Sequence, residues 1–290
     1  MRNVRQIYSK NMRHWVGDGF WVEPLFSHMG MDKHTNPFLM LDYAAPYEFP
    51  PKSNHPRGVG SHPHKGFETV TIAYQGEVAH RDSTGGGGVI RAGDVQWMTA
   101  GAGIVHEEFH SEAFSQSGGL FEMVQLWVNL PAKDKNTPAR YQHLSKETIP
   151  VVDLADGAGT VRLIAGDFEH THGAADTFTE MNVWDVDVKA GKEAHISVPA
   201  KHSLSMVVLR GEAMFNGKDA AKAGQLVGFE DGEGAVSISA VGDDVKILLL
   251  SGIPIDEPVV GYGPFVMNTE DEIRTAIDDF NSGRFGRIPA

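Results

Sequence analysis

His62-Pro63-His64-Lys65-Gly66-Phe67-Glu68-Thr69-Val70 and, further along, Gly103-Ile104-Val105-His106-Glu107-Glu108 decide how this chain reads. Each stretch carries two metal donors at positions i and i+2. In an extended chain successive side chains alternate between faces, so His62 and His64 point one way together, and so do His106 and Glu108. Two such strands lining one β-barrel bring three imidazoles and one carboxylate to a common point. Four protein donors leave one or two positions free on an octahedral ion, as a catalytic site requires and a closed structural site does not. The chain has no cysteine, and a nitrogen and oxygen set without thiolate suits iron, manganese, nickel, cobalt, copper or zinc alike. Glu68 shares the facing of His62 and His64 if the strand is regular, and His110 shares that of His106 and Glu108. Gly66 or a bulge would break either register. Glu107 has the opposite parity and is expected in solvent. A second His-x-His, at His170 and His172, has no partner pair and is read as surface.

The residues around these stretches read as strands. Runs at 68–74, 76–82, 88–91, 95–99, 103–109 and 121–130 are strand-length and broken by glycine or polar residues. The pattern resumes at 161–165, 182–188, 206–209, 212–215, 225–229, 235–240 and 245–251. Upstream, 20–25 and 37–41 are strand-like, 46–61 is rich in proline and glycine and expected as irregular loop, and 85–88 is expected as a hairpin tip. Polar 131–137 is expected to link two domains, 1–137 and 138–290. Thr269 and Glu272 form a capping-box pattern that predicts a helix over 270–281, with Gly283 as its stop.

A faint internal repeat supports two copies of one β-domain. Ile72-Ala73-Tyr74-Gln75-Gly76-Glu77 resembles Val207-Val208-Leu209-Arg210-Gly211-Glu212, and Arg91-Ala92-Gly93-Asp94 resembles Lys222-Ala223-Gly224-Gln225. Carried along these anchors, the four donor positions fall on Ser197, Pro199, Ser237 and Ser239, so the second copy is expected to hold no metal.

The composition excludes several classes. A length of 290 residues suits one large or two medium domains. The net charge of −13 disfavours direct nucleic-acid binding and docking on anionic lipid. Without cysteine there are no disulfides, zinc–thiolate sites, iron–sulfur clusters or cysteine nucleophiles. No run approaches the roughly 20 apolar residues that cross a bilayer, and the amino terminus does not read as a secretion signal. A soluble, cytoplasmic, monomeric protein is expected. Phe67, Trp97, Phe109 and Trp127 are candidates to line a substrate cavity, with core packing expected for most of them, and Met98 and Met123 are expected as core.

At 62–70, together with Gly93-Asp94-Val95-Gln96-Trp97-Met98-Thr99-Ala100-Gly101 and 103–108, the chain resembles the pirin family of bicupins. Asn36-Pro37-Phe38-Leu39-Met40-Leu41-Asp42, Leu126-Trp127-Val128-Asn129-Leu130, Gly263-Pro264-Phe265-Val266-Met267-Asn268-Thr269 and Ser282-Gly283-Arg284-Phe285-Gly286 extend the likeness over nearly the whole chain. The resemblance implies an all-β fold of two tandem cupin barrels, jelly-roll-like, with a short C-terminal helix. It implies one Fe(II) ion on His62, His64, His106 and Glu108, and a second domain without metal. Cupins in general take a glutamate soon after the paired histidines, here Glu68; pirins take the one after the third histidine, here Glu108. Some bacterial pirins are quercetin 2,3-dioxygenases, which implies a flavonol and O2 as substrates and Glu108 as general base. Asp42 and Glu68 are candidates to support the histidines. The alternative that the resemblance implies is a non-catalytic redox sensor binding a transcription factor or a metabolic enzyme.

Overall fold

The computed structural model describes residues 1–9, 12–30, 33–52 and 54–289. Among the described residues, Arg140–Leu144, Val95–Thr99, Phe67–Gln75, Gly119–Asn129, Phe38–Phe49, Phe20–Ser27 and His14–Val16 form one sheet in that order. Gly58–His64, Ile104–His110, Glu77–Asp82 and Gly87–Arg91 form a second. All these pairings are antiparallel. Phe20, Val22, Phe49, Val78, Ile90, Phe114, Phe121 and Met123 make one of the buried clusters of this first barrel.

The second barrel repeats the same strand order. Val4–Tyr8, Leu226–Phe229, Ser203–Arg210, Val245–Gly252, Met181–Val188, Gly159–Ala165 and Val151–Asp153 form its larger sheet. Glu193–Ile196, Val236–Ala240, Glu212–Phe215 and Asp219–Lys222 form the smaller one. The internal repeat is thus a repeat of topology. The N-terminal strand Val4–Tyr8 occupies in the second barrel the edge that Arg140–Leu144 occupies in the first.

The single cut expected after residue 137 therefore differs from the compact units observed. One unit gathers Met1–Asn11, Met31–Pro37 and Glu147–Pro254; the other gathers Met12–Gly30, Phe38–Lys146 and Ile255–Ala290. The expected linker at 131–137 is fastened instead. Lys135 is buried, and its Nζ donates to the carbonyls of Gly66 and Val266 and to Asn129 Oδ1 at 2.8–3.0 Å. A charged residue read as a solvated linker is here an internal hydrogen-bond hub, which is how a buried ammonium is tolerated.

Residues 46–61, expected as loop, contain the end of Phe38–Phe49 and the start of Gly58–His64. Gly58 is where that start needs a residue with no side chain, because a Cβ there would collide with the Glu108 carbonyl. The helix Glu270–Asn281 begins at the expected capping box of Thr269 and Glu272. Its buried Ile273 and Ala276 pack with Val105, Phe265, Met267 and Phe285. No helix among the described residues is long and apolar enough to cross a membrane.

Candidate metal centre

Gly58–His64 and Ile104–His110 are neighbours in one sheet, with His106 opposite His62 and Ile104 opposite His64. The register shifts between His106 and Glu108, a bulge that re-aims the strand at the site. The rings of His62, His64 and His106 converge, with centroids 5.0 Å apart for His62–His64, 4.2 Å for His62–His106 and 4.9 Å for His64–His106. Each offers a nitrogen, and these atoms all lie within 4.8 Å of one another. Glu108 is not in that group. It joins His106 and His80 in a second group of the same tightness. Three of the four donors named from the sequence thus meet directly, and the fourth adjoins them through His106.

The local chemistry suits a cation. His64 Nδ1 and His106 Nε2 are buried and have no hydrogen-bond partner. A buried polar atom left unpaired costs about 1–3 kcal/mol, which a bound metal would offset. Burial, with His62 beside it and the Pro264 carbonyl opposing, pushes His64 down to about 3. Burial and the neighbouring His64, His62 and His80 rings lower His106 well below its ordinary value. Both imidazoles are therefore held neutral, the form that binds metal. His62 Nδ1 lies 2.8 Å from the Gly60 carbonyl, which leaves its Nε2 as the donor. Glu108 Oε1 accepts from Thr71 Oγ1 at 3.2 Å and Gln96 Nε2 at 3.3 Å.

The group opens on a cavity of about 400 Å³ whose wall includes His62, His64 and Glu108. The rest is mostly apolar: Phe20, Val22, Met40, Val59, Met123 and Trp127, with Asp42 and Gln125 as polar exceptions. Met123 and Trp127 pack in or against core clusters as expected and also line the cavity, and the Trp127 ring lies 5.3 Å from that of His64.

Other sequence candidates land elsewhere. The expectation that Glu68 supports the histidines is corrected. Gly66 takes φ +90° and divides the two strands, so parity does not carry through. Phe67 packs on His64 with centroids 5.2 Å apart and Thr71 reaches Glu108, so alternation sends Glu68 to the opposite face of the sheet. There Thr99 Oγ1 donates to it at 2.7 Å. Burial pushes the Glu68 carboxyl up to about 7, opposed by Thr99, Trp97 and Arg140. Asp42 stands in the cavity wall, opposite Gln125 in register. The His110 ring is set among Phe49, Phe114 and Phe121 and its Nε2 lies 2.8 Å from the Gly19 carbonyl, a packing position. His170 and His172 belong to no donor cluster among the described residues.

Sequence reasoning missed His80 and Asp82. Both are fully buried beside the group, and His80 stacks on Tyr141 with centroids 5.1 Å apart. Their own i, i+2 spacing ahead of the glycine run was the available signal.

A tandem β-barrel protein with an imidazole cluster beside a largely apolar cavity in one barrel is the class that fold and site define. The chain belongs to the pirin family: the Pirin model matches residues 19–128 and the Pirin C-terminal cupin domain model matches 183–286. It is 52% identical over 287 residues, 99% of each chain, to a Pseudomonas aeruginosa protein named "putative quercetin 2,3-dioxygenase". A "pirin-like protein" of Solanum lycopersicum is 39% identical over 256 residues, 88% of this chain and 83% of the relative. The crystal structure of a quercetin 2,3-dioxygenase from Acinetobacter baumannii matches with a TM-score of 0.95 and 50% identity, covering 100% of both chains. The all-β architecture of two cupin domains follows from both lines of comparison.

Proposed function

We propose that this chain is a metal-dependent flavonol 2,3-dioxygenase of the quercetinase type, acting in the cytoplasm. His62, His64, His106 and Glu108 would hold one ion, for which iron(II) is the assignment. The observation that carries the proposal is the convergence of three imidazoles beside Glu108 on the wall of a largely apolar cavity. The names of the two relatives near 50% identity point the same way.

The cavity volume of about 400 Å³ lies within the roughly 300–1,000 Å³ typical of small-molecule sites. Its apolar side chains suit a flat aromatic ring system and exclude bulk water. A bound metal would supply positive charge that stabilises the developing enolate oxygen. Glu108 accepts the proton of the flavonol 3-hydroxyl as general base. Thr71 and Gln96, both on its Oε1, fix the carboxylate in place for that transfer. Both atoms of O2 enter the ring-opened ester, and the carbon that carried the 3-hydroxyl leaves as carbon monoxide.

The test is iron-loaded protein with quercetin under air, following loss of flavonol absorbance and release of carbon monoxide. Turnover that disappears in His62→Ala and Glu108→Ala supports the proposal. Absence of turnover with every first-row metal tried would remove the enzyme and leave a non-catalytic, redox-sensing binding protein.

A further inference from the structure

We propose that Asp82 and His80 act as positioning residues that set the proton of His106, so that its buried Nε2 is left as a bare lone pair ready for metal. This rests on His106 being a ligand, as proposed above. His80 lies on Glu77–Asp82, the strand paired to Ile104–His110, with Asp82 opposite His106 and His80 opposite Glu108.

The proton positions follow from the acceptor at the far end. Asp82 Oδ1 already accepts from Thr84 N at 2.8 Å, Thr84 Oγ1 at 2.6 Å and Gly86 N at 3.1 Å. Its Oδ2 lies 3.1 Å from His80 Nε2. An ionised carboxylate only accepts, so His80 carries a proton on Nε2. The neutral ring then presents Nδ1 as an acceptor. His80 Nδ1 lies 3.3 Å from His106 Nδ1, and that contact is a hydrogen bond only if His106 Nδ1 donates. His106 is thereby left without a proton on Nε2, the buried nitrogen that has no partner.

Gln96 supports the same assignment independently. Its Nε2 lies 3.3 Å from Glu108 Oε1 and 3.2 Å from His80 Nδ1. The Glu108 carboxylate fixes the amide orientation, since the flipped amide would set oxygen against oxygen. The amide N–H then also needs His80 Nδ1 as an acceptor, and the single lone pair there is shared between Gln96 and His106 as a three-centre bond at 3.2 and 3.3 Å. Tyr141, stacked on His80 at an interplanar angle of 18°, holds the ring in plane. The opposite tautomer of His80 would donate to His106 and place a proton on its Nε2, blocking the metal. Groups that orient a ligating histidine in this way are commonly worth about 10–100-fold in metal affinity.

The experiment uses the full metal-free chain, with cobalt(II) as spectroscopic probe and affinity measured by competition with a chromophoric chelator. Far-ultraviolet circular dichroism of each metal-free variant checks its fold. His80→Phe keeps the stacking on Tyr141 but removes the acceptor, and it should bind cobalt about 10–100-fold more weakly with altered d–d bands. His80→Gln supplies one donor and one acceptor in place of the ring and should recover much of the loss. Asp82→Asn changes no volume; its amide nitrogen, turned to His80 Nε2, favours the wrong tautomer, so it should lose affinity to a similar degree.

Parent-like affinity and spectra in both His80→Phe and Asp82→Asn would overturn the relay. His106→Ala should lose cobalt. If it does not, the metal centre itself is wrong, which separates that failure from a failure of the relay alone. If His62→Ala still binds cobalt while His80→Phe does not, the ion sits in the His80–His106–Glu108 group, and His80 is a ligand rather than a positioning residue.

Discussion

The two barrels share one strand order and differ in what fills them. In the first, His62 pairs across the sheet with His106, and Glu108 pairs with His80. In the second, the corresponding pairs are Ile196 with Val236 and Phe215 with Ile238. All four of these side chains are buried in the hydrophobic core of that barrel. The same backbone therefore supports either a polar pocket with unpaired nitrogens or a packed hydrophobic interior. A shared fold carries no chemistry of its own; the chemistry rests on a handful of inward positions.

The register also shifts the correspondence between the two copies by one residue. The glycine anchors set Ser237 and Ser239 at the positions equivalent to His106 and Glu108. In the structure the inward residues of that strand are Val236 and Ile238, while Ser239 Oγ donates to Glu193 at the surface. The glycine anchors are spaced differently in the two copies, so a one-residue slip was enough to exchange faces.

Four outcomes would sharpen or break this contrast. The largest concerns Glu108→Ile, which copies the second barrel into the first. Removing the general base should lower flavonol turnover about 10²–10⁴-fold, with single-turnover absorbance as the readout; unchanged turnover would dismiss Glu108 as the base. Next, Phe215→Ala in the second barrel should cost about 3–5 kcal/mol, because a fully buried ring leaves a cavity. Urea unfolding measures it, and a cost below the uncertainty of the method would contradict a tightly packed interior.

A smaller effect is tied to pH. The Glu68 carboxyl sits at about 7 in the folded chain against an ordinary 4.5. The folded state therefore holds the proton more tightly than the unfolded state. The resulting stabilisation is complete below 4.5 and is lost as pH rises through 7. Above that pH the buried charge costs on the order of 3 kcal/mol relative to the protonated form. Glu68→Gln should flatten this slope and raise stability above neutrality, as unfolding curves at several pH values would show. The smallest effect is expected at the exposed pair of His172 and Asp167. His172→Ala should change stability by about 0.5 kcal/mol or less and leave metal affinity unaltered; a loss of metal would reopen the second His-x-His as a site.

By itself the sequence determined the β character, the doubled domain, the capped C-terminal helix and the residues whose rings converge. Those signals are local: strand periodicity, the alternation of His62 and His64, the glycine and polar breaks between strands, and the Thr269–Glu272 box are all written over a few neighbouring positions. Tertiary structure alone decided which face Glu68 takes, because a positive φ at Gly66 resets parity between strands. It also decided the discontinuous units, since the pairing of Val4–Tyr8 with Leu226–Phe229 joins residues far apart in sequence. His80 and Asp82 became meaningful only once the sheet set them beside His106. A side chain's contacts across a sheet depend on register, and register is settled by the whole barrel packing at once rather than by any short stretch of chain.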